Sequence, residues 1–322
     1  MGGGQTVPKP RCKQQTYSLS SFRLQRVIGT GSYAHVQLAV HKASGEPVVL
    51  KVLSKAKLIE KAQVQHTNTE RLILGLAKSD FVVKFIGSFQ TLTNAYCVLE
   101  FVQGGELFKL LREKKALSCP EALFYLAEVI SALGYLHSVH CLYRDLKPEN
   151  VLIADDGHIK LTDLGLAKRL LPHEKTITMC GTPEYMSPEM INGSGHGYAV
   201  DWWQVGILLY EMLYGKTPFV HKQPFRMYEN ILFQQVEFPS GSEETKDLIC
   251  GLLEKDPERR LGEEAIKRHA FFTGVDWAAV QGRRLDPPFR PQLSGPMDTS
   301  RYGNFEVKQT EEEVLEDLFP SF

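Results

Sequence analysis

The spacing of apolar residues changes from a two-residue repeat to a helical repeat part-way along the chain. Between residues 22 and 102 apolar and polar side chains alternate, as at Val36, Leu38 and Val40, which is typical of strands. After Gly104-Gly105 the pattern becomes that of amphipathic helices. Strands followed by helices predict an α+β fold with two lobes rather than a parallel α/β sheet.

The same change divides the chain into four predicted segments. Residues 1–21 are polar and form a flexible N-terminal arm, residues 22–102 a small β-rich lobe, residues 103–272 a larger helical lobe, and residues 273–322 an extended tail. Within them the pattern predicts strands over 82–89 and 95–101, and helices over 57–78, 118–140, 199–214, 224–233 and 243–253.

Composition excludes several classes of protein. The 37 Lys plus Arg and 38 Asp plus Glu leave a formal net charge of −1, whereas a dedicated nucleic-acid binder usually has a basic excess. The six cysteines have no metal-ligand spacing and are interpreted as reduced thiols. The N-terminus has no signal-peptide pattern and no apolar run approaches the length of a membrane span. We therefore expect a cytoplasmic protein.

A glycine-rich segment, Gly29-Thr30-Gly31-Ser32-Tyr33-Ala34, is suited to bringing backbone N–H groups close to phosphates. It also fits the fingerprint of nicotinamide-dependent oxidoreductases. That fingerprint requires a helix directly after the glycines and an acidic residue about 20 positions later. Here a hairpin follows, and residues 49–54 contain no acid, so the oxidoreductase interpretation fails.

Lys51 lies within an apolar strand pattern. Such a lysine usually points to solvent. If it points inward it needs a counter-charge, and Glu70, 19 residues later in a helical pattern, is a candidate. A pair of this kind positions a lysine on nucleotide phosphates.

Three further motifs follow in order: Tyr143-Arg-Asp-Leu-Lys-Pro-Glu-Asn150, Asp163-Leu-Gly165 and Ser187-Pro-Glu189. With the glycine-rich segment and Lys51, they resemble the signatures of eukaryotic protein kinases. The resemblance implies a two-lobed kinase fold that uses ATP and Mg²⁺, with protein substrates.

The resemblance also implies roles for individual residues. Asp145 would orient the attacking hydroxyl, Lys147 would contact the transferred phosphate, and Asn150 and Asp163 would bind Mg²⁺. Lys51 and Glu70 would form the phosphate-positioning pair. The ATP site would comprise Ile28, Gly29, Thr30, Gly31, Ser32, Tyr33, Ala34, Val36, Val49, Lys51, Glu100, Val102, Leu152 and Thr162.

Within the kinases the chain is most similar to the AGC group, and in it to the cyclic-AMP-dependent enzymes. The similarity rests on residues 178–185, 201–203, 295–300 and 319–322. It implies that Thr178 is phosphorylated, by an upstream kinase or by autophosphorylation. The phosphate ligands would be His66, Arg144 and Lys168.

The tail ends in Phe319-Pro-Ser-Phe322, which resembles the AGC hydrophobic motif folded back onto the small lobe. The alternative is a disordered acidic terminus. Thr310 resembles the turn-motif phosphosite. Tyr302 and Phe305 stand where an aromatic pair of the tail flanks the nucleotide site, in the reverse of the usual order.

Substrate preference is predicted from charge. Glu106, Glu149 and Glu211 match acidic positions that receive arginines upstream of the phospho-acceptor, although each alone could be a plain surface charge. An apolar pocket and the edge of the site would be formed by Met179, Thr182, Pro183 and Met186. Together these residues predict a preference for basic peptides of the form Arg-Arg-x-Ser/Thr-hydrophobic.

Departures from the family pattern leave the mode of control open. Ala34 replaces the third glycine, Leu164 replaces the usual phenylalanine, and Ile177 replaces a tryptophan that docks a cyclic-nucleotide-binding regulatory subunit, while Tyr228 in the other docking region is kept. Control by such a subunit and a pseudosubstrate inhibitor is one expectation, and a stand-alone AGC kinase is the other. A non-catalytic pseudokinase scaffold predicts loss of a motif residue, and none is lost.

The N-terminus, Met1-Gly2-Gly-Gly-Gln-Thr6, fits the pattern for myristoylation of Gly2. One acyl chain binds membranes weakly, and Lys9, Arg11 and Lys13 could add electrostatic attraction. A plain glycine-rich terminus is the alternative. Peripheral membrane contact through this arm is therefore one of two expectations.

Overall fold

A five-stranded antiparallel sheet forms the first part of the fold in the computed structural model, which describes residues 17–171, 173–307, 318–319 and 322. The strand order is β1-β2-β3-β5-β4. The strands are β1 Phe22–Thr30, β2 Ala34–His41, β3 Pro47–Ser54, β4 Phe85–Gln90 and β5 Asn94–Glu100.

Strand β3 is central and buries both of its faces, because successive side chains point to opposite sides of a sheet. Val49 and Leu53 belong to the main core beneath the sheet, whereas Val48 and Leu50 belong to a separate outer cluster. Lys51 shares its face with Val49 and Leu53. Its side chain therefore points inward, and the solvent-facing interpretation of this lysine is wrong.

The predicted helix over 57–78 is two helices, α1 Lys55–Glu60 and α2 Val64–Leu76. The first helix ends just before Ala62, which has a left-handed φ of 51°. Gln63 N donates to Leu58 O at 2.8 Å and Ala62 N to Ile59 O at 3.0 Å, the bond pattern of a Schellman cap. A helical apolar pattern does not reveal such a cap when alanine occupies the position that glycine usually takes.

Helices dominate the larger lobe: α3 Leu107–Lys114, α4 Cys119–Ser138, α5 Pro188–Ile191, α6 Ala199–Tyr214, α7 Pro224–Phe233, α8 Glu243–Leu252, α9 Glu263–Lys267 and α10 Trp277–Gln281. Short strands β6 Cys141–Leu142 and β9 Lys168–Arg169 pair, as do β7 Val151–Ile153 and β8 Ile159–Leu161. The predicted α+β division into a β-rich small lobe and a helical large lobe is confirmed.

Helix α4 begins at the predicted capping box, where Glu121 Oε2 accepts hydrogen bonds from Ser118 N at 2.9 Å and Ser118 Oγ at 2.7 Å. By length and composition alone α4 could cross a membrane, but 72% of its most apolar stretch is buried within the protein. It packs against α6 as a central helix of the large lobe.

A buried ion pair joins two distant parts of the large lobe. The Arg260 guanidinium meets the Glu189 carboxylate with two parallel bonds of 2.6 and 2.9 Å. Arg260 also donates to Ala199 O at 2.9 Å. These contacts fix α5 and the start of α6 to the chain that follows α8.

The tail runs along both lobes. Arg26 of β1 donates to Thr299 Oγ1 at 3.1 Å, and Lys109 of α3 donates to Ser300 O at 3.0 Å. Further along, Phe305 forms a β-bridge with Val27. The tail segment described here is therefore bonded to the sheet and to the large lobe at adjacent residues.

Candidate active site

A cavity of about 320 Å³ lies between the sheet and the large lobe. Its walls include most of the predicted nucleotide-binding residues: Ile28, Gly29, Thr30, Gly31, Ala34, Val36, Val49, Lys51, Glu100, Val102, Leu152 and Thr162. Ser32 is not among the lining residues, and Tyr33 lines a neighbouring groove on the sheet. The structure thus brings together residues that are up to 134 positions apart between Ile28 and Thr162.

The glycine-rich turn forms the roof of the cavity. Gly31 N donates to Ala34 O at 2.8 Å, which closes the turn, and Ala34 already belongs to β2, where it pairs with Leu53. A Cβ on Gly29 would lie 3.4 Å from the side chain of Val36. The alanine is accommodated because its position is ordinary strand, whereas Gly29 faces a tight contact.

Lys51 is held at the back of the cavity by two carboxylates. Its Nζ lies 2.5 Å from Glu70 Oε1 on α2 and 2.9 Å from Asp163 Oδ1. Burial alone would lower the pKa of Lys51, but the Asp163 and Glu70 carboxylates raise it well above its ordinary value. The same contact, led by Lys51, lowers the pKa of Asp163. The lysine is therefore a fixed positive charge facing the cavity.

The loop that follows β6 is held in an unusual backbone conformation. Arg144 has a left-handed φ of 68°. Asp201 on α6, fully buried, accepts hydrogen bonds from Arg144 N at 2.7 Å and from Tyr143 N at 3.0 Å. Non-glycine residues remain in this region only when neighbouring contacts enforce it, and Asp201 supplies those contacts.

Asp145 follows Arg144 in the same loop and is 6% exposed. Lys147 Nζ is 3.1 Å from Asp145 Oδ2, and Asn150 Nδ2 donates to the same oxygen at 2.8 Å. Burial raises the pKa of Asp145, while Lys147 acts in the opposite direction. Lys147 also donates to Thr182 Oγ1 at 3.0 Å, so the loop is joined to the segment that carries Thr182.

Asn150 and Asp163 both line the cavity and offer the hard oxygen atoms that Mg²⁺ prefers. Asn150 uses its Nδ2 on Asp145, which leaves its Oδ1 free of that bond. Among the described residues no group of three or more His, Cys, Asp or Glu could form a metal site. The donor set fits Mg²⁺ held by two protein groups together with phosphate oxygens.

The family is decided by comparison with known proteins. The family model described as Protein kinase domain matches residues 22–272. This chain belongs to the protein kinase family.

Comparison with individual relatives shows to which group of protein kinases the chain belongs. The mouse cAMP-dependent protein kinase catalytic subunit PRKX is 43% identical over 306 residues, which cover 92% of this chain and 86% of the relative. Human serine/threonine-protein kinase Sgk2 is 42% identical over 306 residues, covering 93% and 83%. The chain is a serine/threonine kinase of the AGC group that uses ATP and Mg²⁺. It has protein substrates and upstream kinases.

The activation segment of the kinase places Thr178 at the surface and Thr176 inside. Lys168 Nζ donates to the buried Thr176 Oγ1 at 2.8 Å, and the two threonine hydroxyls are 3.4 Å apart. Arg144 Nη1 is buried without a hydrogen-bond partner among the described residues. Of the predicted phosphate ligands, Lys168 is thus bonded to a near neighbour of Thr178, and the charge of Arg144 acts on Cys180, two residues after Thr178.

The third predicted phosphate ligand, His66, is engaged elsewhere. Its Nδ1 lies 3.0 Å from Gln63 Oε1 at the start of α2. Thr176, which is bonded to Lys168, was not predicted, because nothing in the sequence separates its environment from that of the exposed Thr178.

The predicted acidic residues of the substrate site differ in their surroundings. Glu106 and Glu149 both lie near the cavity, and burial, followed by the charge of Glu149, raises the pKa of Glu106. Glu211 accepts a short hydrogen bond from Tyr185 Oη, and burial raises its pKa. These carboxylates are close enough to one another for their charges to interact.

The predicted apolar pocket beside the acceptor is only partly exposed. Met179 and Pro183 are exposed, whereas Met186 is buried in the large lobe. Met186 would therefore act from beneath the surface.

Several cavity residues were not predicted as part of the ATP site: Leu74, Val82, Val83, Leu99, Leu161 and Leu164. Most are plain apolar residues whose sequence pattern indicates only a core position. Leu164 is fully buried in the main core. Asp201 and Gln204 had a usable signal, since they are polar residues three positions apart within an otherwise apolar helix.

Tyr302 brings the tail into the cavity wall. Its hydroxyl donates a short hydrogen bond to the backbone carbonyl of Val102, and its ring is 5.9 Å from that of Phe101. Burial raises the pKa of Tyr302, so the hydroxyl stays protonated and remains a donor. Of the two tail aromatics, Tyr302 lines the cavity and Phe305 lies outside it on β1.

The end of the tail packs on the small lobe. Phe319 is fully buried, its carbonyl accepts a bond from Gln90 Nε2 at 3.3 Å, and the Lys55 ammonium lies 5.4 Å from its ring centre. Phe322 packs against it at 6.3 Å. Thr310 and Gly2 lie outside the described residues.

Replacing Tyr302 with phenylalanine is expected to keep the ring in the cavity wall and remove its bond to Val102. One such bond contributes about 0.5–1.5 kcal/mol, so KM for ATP should rise by at most about tenfold. Tyr302→Ala also opens the wall and should raise KM further. Steady-state kinetics with varied ATP would measure both.

Tyr214→Phe is the matched control, because Tyr214 Oη donates to the backbone carbonyl of Ser240 on the far side of α6. It should leave KM for ATP unchanged. Equal KM values for wild type and Tyr302→Ala would show that the tail ring does not contribute to nucleotide binding.

Proposed function

We propose that this kinase transfers the γ-phosphate of Mg-ATP to serine or threonine hydroxyls in peptides of the form Arg-Arg-x-Ser/Thr-hydrophobic. The observation that carries the proposal is the position of Asp145. Its carboxylate is held by Lys147 and by Asn150, and Asn150 also lines the nucleotide cavity. An acceptor hydroxyl placed there would meet the phosphate from the open side of the cavity.

The residues around Asp145 suit phosphoryl transfer, in which positioning and charge stabilisation matter more than covalent catalysis. Asp145 would accept the hydrogen bond of the acceptor hydroxyl and orient its oxygen toward phosphorus. Lys147, already between Asp145 and Thr182, would neutralise charge on the transferred group. Both must keep their charges, and Lys147 favours the charged form of Asp145.

The cavity indicates the orientation of ATP. The adenine would lie between Ile28, Val36 and Val49 on the sheet side and Leu152 on the other, with its polar edge toward the backbone of Glu100 and Val102. Lys51 would then contact the phosphates, with Glu70 holding its ammonium in place.

Asn150 and Asp163 would bind Mg²⁺, which neutralises charge on the phosphate oxygens when it is bound. Lys51 bonds to Asp163 Oδ1, and Gly165 N lies 3.3 Å from the same atom. These contacts fix the direction of the Asp163 carboxylate and keep it ionised.

Activation would follow phosphorylation of Thr178. Lys168 supplies a cation at Thr176, and the unpartnered Arg144 Nη1 is a donor that a phosphate could satisfy. Arg144 adjoins Asp145 in sequence, so a bond from its guanidinium to the phosphate would stabilise the same loop. His66 would need to leave Gln63 in order to contribute.

Preference for arginine is supported by the charge and burial of three glutamates, Glu106, Glu149 and Glu211. A guanidinium gains most from a carboxylate that is partly withdrawn from water, since its charge is less screened there. Burial raises the pKa values of Glu106 and Glu211, which is the signature of such an environment. Met179 and Pro183 would contact the apolar residue after the acceptor.

Control by a cyclic-nucleotide-binding subunit is the mode that we propose, with a stand-alone AGC kinase as the alternative. The PRKX relatives are cAMP-dependent protein kinase catalytic subunits by name, whereas the Sgk relatives are named only as serine/threonine-protein kinases. Tyr228 lies on α7, and Ile177, 76% exposed on the activation segment, offers an apolar contact where a tryptophan is usual. Both are available to a partner of the large lobe.

Purified kinase phosphorylated on Thr178 is expected to transfer phosphate from ATP to a serine peptide with two upstream arginines. Asp163→Ala should abolish the transfer, because it removes a Mg²⁺ ligand and the partner of Lys51. Asp286→Ala, a change at a carboxylate that is 92% exposed, is the control and should be active. Absence of transfer by wild type would favour the scaffold alternative.

Glu211→Gln is expected to raise KM for the arginine peptide about 10- to 100-fold with little change in kcat, because a charged hydrogen bond of about 1.5–3 kcal/mol is lost. With a peptide in which alanine replaces the contacted arginine, wild type and Glu211→Gln should have the same KM. Glu243→Gln, at an 89% exposed side chain of α8, is the control.

The raised pKa of Glu211 also predicts the direction in which peptide KM changes with pH. A carboxylate with a raised pKa becomes neutral at a higher pH than usual, so peptide KM in wild type should increase on acidification before an ordinary glutamate would protonate. An oriented peptide library without arginine preference would contradict the proposed specificity.

Regulation is tested by purifying the kinase from its native cell with and without cyclic nucleotide. A regulatory subunit that is released by cyclic nucleotide, and that no longer binds Tyr228→Ala, is the expected result. A kinase whose partners and activity do not respond to cyclic nucleotide would instead be the stand-alone enzyme.

A further inference from the structure

Gln204 lies on α6 one turn after Asp201 and is 1% exposed. Both ends of its side-chain amide are used. Nε2 donates to the backbone carbonyl of Arg144 at 2.9 Å, and Oε1 accepts from the backbone N–H of Leu146 at 3.0 Å. A polar side chain at this depth is costly unless it is fully paired, so the two bonds account for its presence in an apolar helix.

The two bonded groups belong to the two peptide units on either side of Asp145. The carbonyl of Arg144 is in the unit before its Cα, and the N–H of Leu146 is in the unit after it. Since φ and ψ are the only soft torsions of a residue, holding both units fixes the backbone of Asp145 and hence the direction of its side chain. One amide thus spans the residue that carries the reacting carboxylate.

We propose that Gln204 is a positioning residue for phosphoryl transfer, which aims the Asp145 carboxylate at the acceptor hydroxyl. The inference rests on the role proposed above for Asp145. Gln204 acts through backbone groups and touches neither nucleotide nor peptide.

Its contribution differs from that of Asp201. Asp201 accepts from the N–H groups of Tyr143 and Arg144 and so holds the strained backbone before Asp145. Gln204 holds the chain across Asp145 and beyond it. The two side chains lie on the same face of α6, three positions apart, and together bond four backbone groups of the loop.

The segment that carries Thr182 also depends on this arrangement. A Cβ on Gly181 would lie 2.9 Å from the Arg144 carbonyl and 4.0 Å from Gln204 Nε2. Gly181, with φ of 96°, therefore passes directly over the bonded carbonyl. The carbonyl that Gln204 fixes is the surface on which the Thr182 segment rests, and Thr182 in turn bonds Lys147.

Only a primary amide of this length can make both bonds. Glutamate retains an oxygen that accepts from Leu146 N–H, but its second oxygen faces the Arg144 carbonyl and cannot donate to it. Methionine has a similar volume but neither the donor nor the acceptor. These two substitutions separate the hydrogen bonds from the shape of the side chain.

The experiment compares Gln204→Met and Gln204→Glu with wild type, each phosphorylated on Thr178 and assayed below its own Tm. A displacement of the reacting group by about 1 Å can cost about 100-fold, so kcat for Gln204→Met should fall about 10- to 100-fold. KM for ATP should stay within about twofold, because the cavity walls are unchanged. Gln204→Glu, which keeps one bond, should lose less.

Ile207→Val is the control for general loosening of α6, because Ile207 is fully buried in the apolar core of the same helix. It should lower Tm with kcat nearly unchanged. The inference is overturned if folded Gln204→Met and Gln204→Glu keep wild-type kcat, or if Ile207→Val loses as much kcat at equal loss of Tm. Should Gln204→Met not fold, Gln204→Glu decides alone. An inactive wild type would instead contradict the proposed function.

Discussion

The contact on which the site depends is the pairing of Lys51 with Glu70 and Asp163. It joins three parts of the fold, since Lys51 belongs to the central strand, Glu70 to α2, and Asp163 to the loop after β8 of the large lobe. Removing one partner from such a buried group would leave uncompensated charge, which is strongly unfavourable. The relative placement of sheet, helix and large lobe is therefore linked to one ammonium group.

A second constraint comes from inside the large lobe. Helix α6 is almost wholly buried, yet it contains Asp201 and Gln204, whose polar atoms all serve the backbone of the loop at residues 143–146. A rigid helix in the core thus determines the conformation of the buried loop that carries Asp145. Flexible side chains from another loop could not hold a left-handed Arg144 with comparable precision.

The catalytic and metal-binding residues could be predicted from the sequence because phosphoryl transfer requires particular residue types at fixed spacing. Asp145, Lys147, Asn150 and Asp163 lie together as the motifs predict. The direction of Lys51 was ambiguous from its strand alone and was resolved by its neighbours on β3. In contrast, Thr176 owes its buried position to contacts with two other segments, at Lys168 and at His196. Local patterns carry no signal for such contacts, and the same holds for the left-handed Ala62 that divides α1 from α2.

The tail contacts have a consequence for motion between the lobes. Arg26 of the sheet and Lys109 of the large lobe bond to adjacent tail residues, Thr299 and Ser300. Neighbouring Cα atoms are only 3.8 Å apart, so the chain between the two attachments cannot lengthen when the lobes separate. Separation of the lobes at this edge is therefore opposed by both bonds at once. The tail in this way couples movement of the sheet to movement of the large lobe.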